Sequence, residues 1–194
     1  CLEDLGTMRT IPGMTILNPA DAVEARAAVE AAILLDGPCY LRFGRYAVPV
    51  IHDPASFRFT VGKGLPLAAG KDVTLVATGI TVSMALEARE LLKADGIDAA
   101  VIDIHTIKPL DRELILKAAA ETGAIVTAEE HNVIGGLGSA VAEAVSEGCP
   151  VPVLRVGVED VFGCSGKVPA LLEKFGLTPS HIAFLAKEAV KKKR

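Results

Sequence analysis

An α/β fold built on a mainly parallel sheet is what the sequence predicts, and three observations carry that prediction. Short apolar runs rich in Val, Ile and Ala alternate with amphipathic stretches of helical period, the pattern of a parallel sheet covered on both faces. Hydrophobic residues make up 51% of the 194 residues but aromatics only 4%, with no Trp, so the core is aliphatic. Glycine and proline fall between the runs, where the chain must turn. Length allows one large domain or two small ones, each able to bury about two-thirds of its unfolded surface without disulfides.

Leu2 to Arg9 reads as a short helix, stopped at Ile11-Pro12-Gly13 because the residue before Pro is driven away from helical angles. Met14 to Leu17 follows as a strand. Asp21 is placed to cap a helix from Ala22 to Leu35, with Val23, Ala27 and Ile33 on its apolar face, and Gly37-Pro38 breaks it. Cys39 to Phe43 is a second strand. This strand-helix-strand opening is the end of a sheet that cannot bury both faces alone. From Gly44 to about Lys71 the pattern loosens around Pro49, Pro54 and Pro66, and reads as an interdomain linker with an edge strand at Phe57 to Val61. From Asp72 the alternation is regular. Strands are expected at Val73–Thr78, Ala99–Ile104, Ala124–Ala128 and Val153–Val158. Helices are expected at Thr81–Asp95, Asp111–Glu121, Leu137–Glu147, Lys167–Phe175 and Ser180–Lys192, with Thr106 to Leu110 as a loop. The predicted architecture is therefore a three-layer α/β/α C-terminal unit around about five strands, preceded by a fragment of a second α/β domain.

A net charge of −4 and a pI near 5.6 argue against nucleic-acid or anionic-membrane partners. Lys191 to Arg194 is basic, and cations there favour the dipole at a helix C-terminus. Cys1, Cys39, Cys149 and Cys164 form no CxxC pair and no metal-ligand spacing with His52, His105, His131 and His181, so reduced thiols, no metal site and a cytoplasmic setting are expected. No apolar run reaches the roughly 18 residues that span a bilayer, and there is no leader pattern. Because the chain begins with Cys, it is expected to be part of something longer.

No complete catalytic set is present: there is no GxSxG, phosphate loop or HExxH. The most informative stretch is Ala124 to Gly138, AIVTAEEHNVIGGLG, in which an apolar strand runs into Glu129, Glu130, His131 and Asn132 and then a glycine turn opening a helix. It allows three readings: an anion site at the helix N-terminus, close packing of the helix on the sheet, or a polar cluster facing another subunit. Asp103 and His105 would share a face if their strand persists, although a structural role for His105 ahead of Lys108-Pro109 is the stronger reading. Arg42 and Arg45 end the strand Cys39 to Phe43, where arginine can grip phosphate or carboxylate; pattern alone favours plain surface arginines.

The segments LEDLGTMRTIPGMTILNPADAVEA (Leu2 to Ala25) and YLRFGR (Tyr40 to Arg45) resemble the end of the pyrimidine-binding domain of transketolase. DVTLVATG (Asp72 to Gly79), IDIHTIKPLD (Ile102 to Asp111), AIVTAEEHNVIGGLGSAVAEAV (Ala124 to Val145) and the run Val161 to Gly166 resemble the transketolase C-terminal domain. The motifs are collinear over nearly the whole chain, and are most similar to enzymes split into N- and C-terminal subunits. The resemblance implies residues 1–50 as the end of the pyrimidine-binding domain, 51–71 as linker and 72–194 as the C-terminal domain. It implies transfer of a two-carbon ketol unit between sugar phosphates with thiamine diphosphate and Mg²⁺, whose main ligands lie on the N-terminal portion, in a homodimer or an α2β2 assembly. The chain alone would then be inactive, with no catalytic residue of its own. Arg45 carries over as the arginine on the substrate phosphate, although Gly44 replaces the usual Ser before it. Glu129, Glu130 and His131 carry over as interface or supporting residues. Two relatives share the domain pair, deoxyxylulose-5-phosphate synthase and the β subunit of 2-oxo acid dehydrogenases. The synthase usually shows an Arg-Tyr-Pro-Arg-Gly type sequence at LRFGR, and nothing here looks like a docking surface for a lipoyl domain. A noncatalytic assembly module of flavodoxin-like shape is the alternative from another class.

Overall fold

The computed structural model describes residues 1–193; Arg194, the last residue of the basic tail, lies outside the described residues. Its larger unit is a five-stranded sheet in the order β3-β5-β4-β7-β8, formed by Leu65–Ala68, Ala99–Asp103, Val73–Ala77, Ile125–Asn132 and Val153–Val158 respectively. All neighbours are parallel except the edge strand β3, which runs antiparallel to β5. Helices cover both faces. On one side α3 (Thr81–Ala94) and α7 (Pro179–Lys191) pack Val82, Ala85, Leu92, Ile182 and Ala186 against Val73, Leu75 and Ala77 of β4. On the other, α4 (Arg112–Thr122) and α5 (Leu137–Gly148) pack Ile115, Ala119, Val141 and Val145 against Val76 and Ile125. Successive β4 side chains thus serve opposite layers, as the pleat requires, and all five are buried. A short helix, α6 (Val168–Lys174), precedes α7, and among the described residues no helix is long and apolar enough to cross a membrane.

The smaller unit starts with α1 (Asp4–Arg9), β1 (Thr15–Leu17), α2 (Ala22–Ile33) and β2 (Cys39–Leu41). Strand β1 pairs β2 in parallel, and Asp21 caps α2 by accepting from the Glu24 amide at 2.9 Å. Its third strand comes from the other unit: β6 (Thr106–Lys108) pairs antiparallel with β1. The Lys108 ammonium adds hydrogen bonds to the Arg9 and Ile11 carbonyls at 2.9 and 2.6 Å. An open sheet edge is thereby closed from within the chain, and Leu5, Ile16 and Ile107 form a small core across the join.

Three expectations are corrected. Thr106 to Leu110 is not simply a loop, because its first three residues make β6. The edge strand is Leu65–Ala68, inside the segment read as linker, and not Phe57–Val61. Phe57 packs edge-on to His52 with centroids 4.6 Å apart and Phe59 stacks on His105 at 4.1 Å, so these rings cover histidines instead of joining a ladder. Strand β7 does not stop at Ala128 but continues to Asn132, whose amide donates to the Leu2 carbonyl at 2.7 Å. As the stronger reading had it, His105 serves a structural role: β5 ends at Asp103, and His105 turns away to bond the Thr106 hydroxyl at 2.8 Å, so the two form no dyad.

Candidate functional site

The continuation of β7 decides where its polar residues point. Alternation sends Glu129 and His131 to one side of the sheet and Glu130 to the other. Both Glu129 and His131 are fully buried. Glu129 turns onto the N-terminus of α5, where its two oxygens accept from the Leu137 and Gly138 amides, each at 2.7 Å. An internal carboxylate therefore fills the position an external anion would take, with the favourable dipole and free N–H groups of a helix start. The anion-site reading of the glycine turn fails for that reason. Burial pushes the Glu129 carboxyl up, while the two amides and His131 restrain the rise.

His131 accepts from the Gly6 amide at Nε2, 3.1 Å, so its proton sits on Nδ1, which donates to the Asn132 carbonyl at 2.7 Å. Arg9 binds the Gly135 carbonyl at 2.6 Å and the Glu143 carboxylate at 2.7 Å. These contacts lock α1 onto the glycine turn within one chain, with Glu129 and His131 buried in the contact. Close approach is what the glycines supply: a Cβ on Gly136 would land on the Glu129 carboxylate, and Gly135, at φ +87°, lies against the backbone of Gly6.

Glu130 points into a cleft of about 570 Å³ between the two units, lined also by Asp4, Tyr40, Arg42, Phe43 and Arg45. Arg42 is spent within the chain. It donates to Asp4 at 3.0 Å, to the Glu130 carboxylate at 3.1 Å and to the Glu130 and Cys1 carbonyls at 2.9 and 3.3 Å. Burial alone would raise the Asp4 carboxyl, but the Tyr40 hydroxyl and Arg42 outweigh it and hold it below its ordinary value. Arg45 is different. It is exposed on the same cleft wall, with no ion pair among the described residues.

A second polar group lies where the two units meet. Asp21, Glu24, His52 and Asp103 come from three separate segments, and their carboxyls lie within the buried part of the join. Burial raises Glu24 to about 7, and burial together with Glu24 raises Asp103. Among the described residues, Glu24, His52 and Asp103 are the one group placed to hold a metal ion. No spacing rule could find it, since the three are strangers in sequence.

Residues 1–50 match the transketolase pyrimidine-binding domain and residues 62–182 the transketolase C-terminal domain. The chain belongs to the transketolase family. It is 49% identical to the 6-deoxy-6-sulfo-D-fructose transketolase subunit of Clostridium sp. strain MSTE9 over 192 residues, covering 99% of this chain and 59% of that one. It is 42% identical to the 1-deoxy-D-xylulose-5-phosphate synthase of Heliobacterium modesticaldum over 189 residues, 96% of this chain but 29% of the synthase. A solved split-gene transketolase, described as an inactive β4 tetramer, superposes with a TM-score of 0.97 at 51% identity, covering all of this chain and 63% of that one. The chain thus spans about three-fifths of the split-type relatives it matches.

Two outcomes follow from this geometry. Gly136→Ala forces the Glu129 carboxylate off the α5 amides and is expected to lower stability by on the order of 3 kcal/mol. Gly163→Ala, where a Cβ would meet only the end of the Leu2 side chain, is expected to stay within about 0.5 kcal/mol in the same urea titration. The Asp4 carboxyl has a folded pKa below its unfolded one, so its stabilisation is present above about pH 4 and is lost as pH falls through the folded value. Asp4→Asn should therefore be less stable than the parent at pH 7, by on the order of 2 kcal/mol, with the gap closing in melts taken towards pH 3.

Proposed function

We propose that this chain is the C-terminal portion of a split transketolase. It would move a two-carbon ketol unit from a ketose phosphate to an aldose phosphate, with Arg45 receiving the substrate's phosphate. The contrast between two arginines in one cleft carries the reading. Arg42 is shared by two carboxylates and cannot take a ligand without breaking the join, whereas Arg45 stands three residues on with no ion pair among the described residues. A guanidinium fork presented from the loop after β2 suits a tetrahedral oxyanion by charge and by shape. The sugar phosphate and sulfosugar in the names of the two relatives fit the same demand, an anionic group on the far end of a small sugar.

Residues of the N-terminal portion would hold thiamine diphosphate and Mg²⁺. In this chain the helix start after the glycine turn is filled by Glu129, so that turn does not fit the cofactor's phosphates. The part left to this chain is to anchor the substrate's anionic end through Arg45 and to keep the cleft wall rigid through Arg42. Glu129 and His131 support that wall indirectly, by fixing the strand that carries Glu130. A partner surface is suggested by the loop after β8, where Val161 is 54% and Phe162 98% exposed. The "inactive" state of the solved β4 relative supports the reading that turnover needs the other portion.

The test is coupled turnover of xylulose 5-phosphate with ribose 5-phosphate by this chain mixed with its N-terminal portion, thiamine diphosphate and Mg²⁺. Activity is expected only in the mixture. Arg45→Ala should lower kcat/KM for the phosphorylated donor about 10–100-fold and leave unphosphorylated xylulose unchanged. Equal loss on both donors would remove the phosphate role from Arg45. Deoxysugar phosphate formed from a 2-oxo acid donor would move the assignment to the synthase. Phe162→Ser should weaken association with the N-terminal portion about tenfold in sedimentation or calorimetry while leaving the far-UV spectrum unchanged.

A further inference from the structure

The buried joint between the two units holds more acceptors than donors. Glu24 and Asp103 are fully buried, and the His52 side chain is 7% exposed. Asp21 Oδ2 accepts from the Ile51 and His52 amides, both at 2.8 Å, so it is an acceptor towards His52 Nδ1 at 3.2 Å as well. With its proton on Nδ1, the ring turns a bare lone pair on Nε2 towards Asp103 Oδ2, 3.5 Å away. With the carboxyls ionised, neither atom has a donor. Glu24 Oε2 takes the Ala20 amide at 2.6 Å, but Glu24 Oε1 and both oxygens of Asp103 have no hydrogen-bond partner. Four buried acceptor atoms from three side chains therefore converge, and the ligand atoms of the three lie within 4.8 Å of one another. Buried acceptors without donors are costly, and two facing carboxyls with a lone pair beside them call for a positive charge between them.

We propose that Glu24, His52 and Asp103 form a binding site for a divalent transition-metal ion that clamps the N-terminal segment to the C-terminal sheet. Two carboxylates and a neutral imidazole suit Zn²⁺ or a neighbouring first-row ion by donor type, and two negative charges match the ion's two positive ones. The surroundings are those of such a site. Asp21 orients the imidazole through its other nitrogen, as carboxylates commonly do behind a metal-bound histidine, and the Phe57 ring closes the side of the imidazole. The three ligands come from α2, the segment between the units and the end of β5, so binding ties together parts of the chain that are distant in sequence.

The experiment uses the full untagged chain. Metal content is measured by mass spectrometry after purification, and the chelator-treated, dialysed protein is then melted and titrated with ZnCl₂. Expected are about one equivalent of Zn²⁺ or another first-row ion per chain, and a rise in Tm of about 5–10 °C at a hundredfold excess over Kd. His52→Gln and Asp103→Asn should each reduce bound metal at least tenfold, and either folded variant suffices. No bound metal together with no Zn²⁺-dependent shift in the parent would overturn the site and leave protons shared among the carboxyls. Metal retained undiminished in a folded variant would overturn it too, by placing the ion elsewhere, for instance on the cysteines.

Discussion

A carboxylate cut off from water must find donors inside the chain, and Glu129 finds them on the first turn of α5. Much of the joint follows from that choice. To reach those amides Glu129 must lie on the α5 side of β7, which places His131 beside it and turns Glu130 to the opposite face. His131 then meets the Gly6 amide and fixes α1, while Glu130 meets Arg42 and fixes the end of β2. One strand register thus sets both contacts between the units on this side. The glycines are the steric complement: they leave room for the carboxylate at Gly136 and for α1 at Gly135.

Arg42 illustrates why a buried charge need not be a ligand site. Its side chain is only 12% exposed, and removing it from water is costly unless every donor is used. Two carboxylates and two carbonyls meet that demand, so the charge is consumed by holding Asp4 and Glu130 together across the units. Truncating one partner of such a cluster would leave the others unpaired, a loss typically of about 3–5 kcal/mol. An exposed arginine carries no such obligation. Arg45 keeps its solvation until something anionic replaces it, which is the physical difference between a strut and a receptor in one cleft.

Periodicity made the large unit legible. Helices α3, α4, α5 and α7 and strands β4, β5 and β8 have enough residues for a pattern to repeat, and Asp21 announces its helix by type and position. The failures are local and have causes. Thr106-Ile-Lys has one apolar residue between polar ones and ends at a proline, so it carried no apolar run like those that marked β1 and β2, although β6 completes the smaller sheet. Phe57 to Val61 has the composition of a strand because its rings are needed against His52 and His105, and apolar content does not say which apolar surface is being covered. Strand β7 reads as ending at Ala128 because four polar residues in a row break the apolar run that marks a buried strand.

The candidate site was legible only where one residue type does one thing. An arginine at a strand end states its chemistry in the sequence, but whether it is free depends on carboxylates 38 and 88 residues away for Arg42, which no local reading contains. The same holds for Glu24 and Asp103: nothing near either in sequence points to the other. Their meeting is a consequence of β6 pairing with β1, because that pairing draws the end of β5 under α2 and brings Asp103 to Glu24. Long-range strand pairing therefore does two things at once: it closes an open edge, and it creates a buried polar joint whose charge must be neutralised. The need to neutralise it, with a cation or with protons held on the carboxyls, follows from the topology and not from any motif.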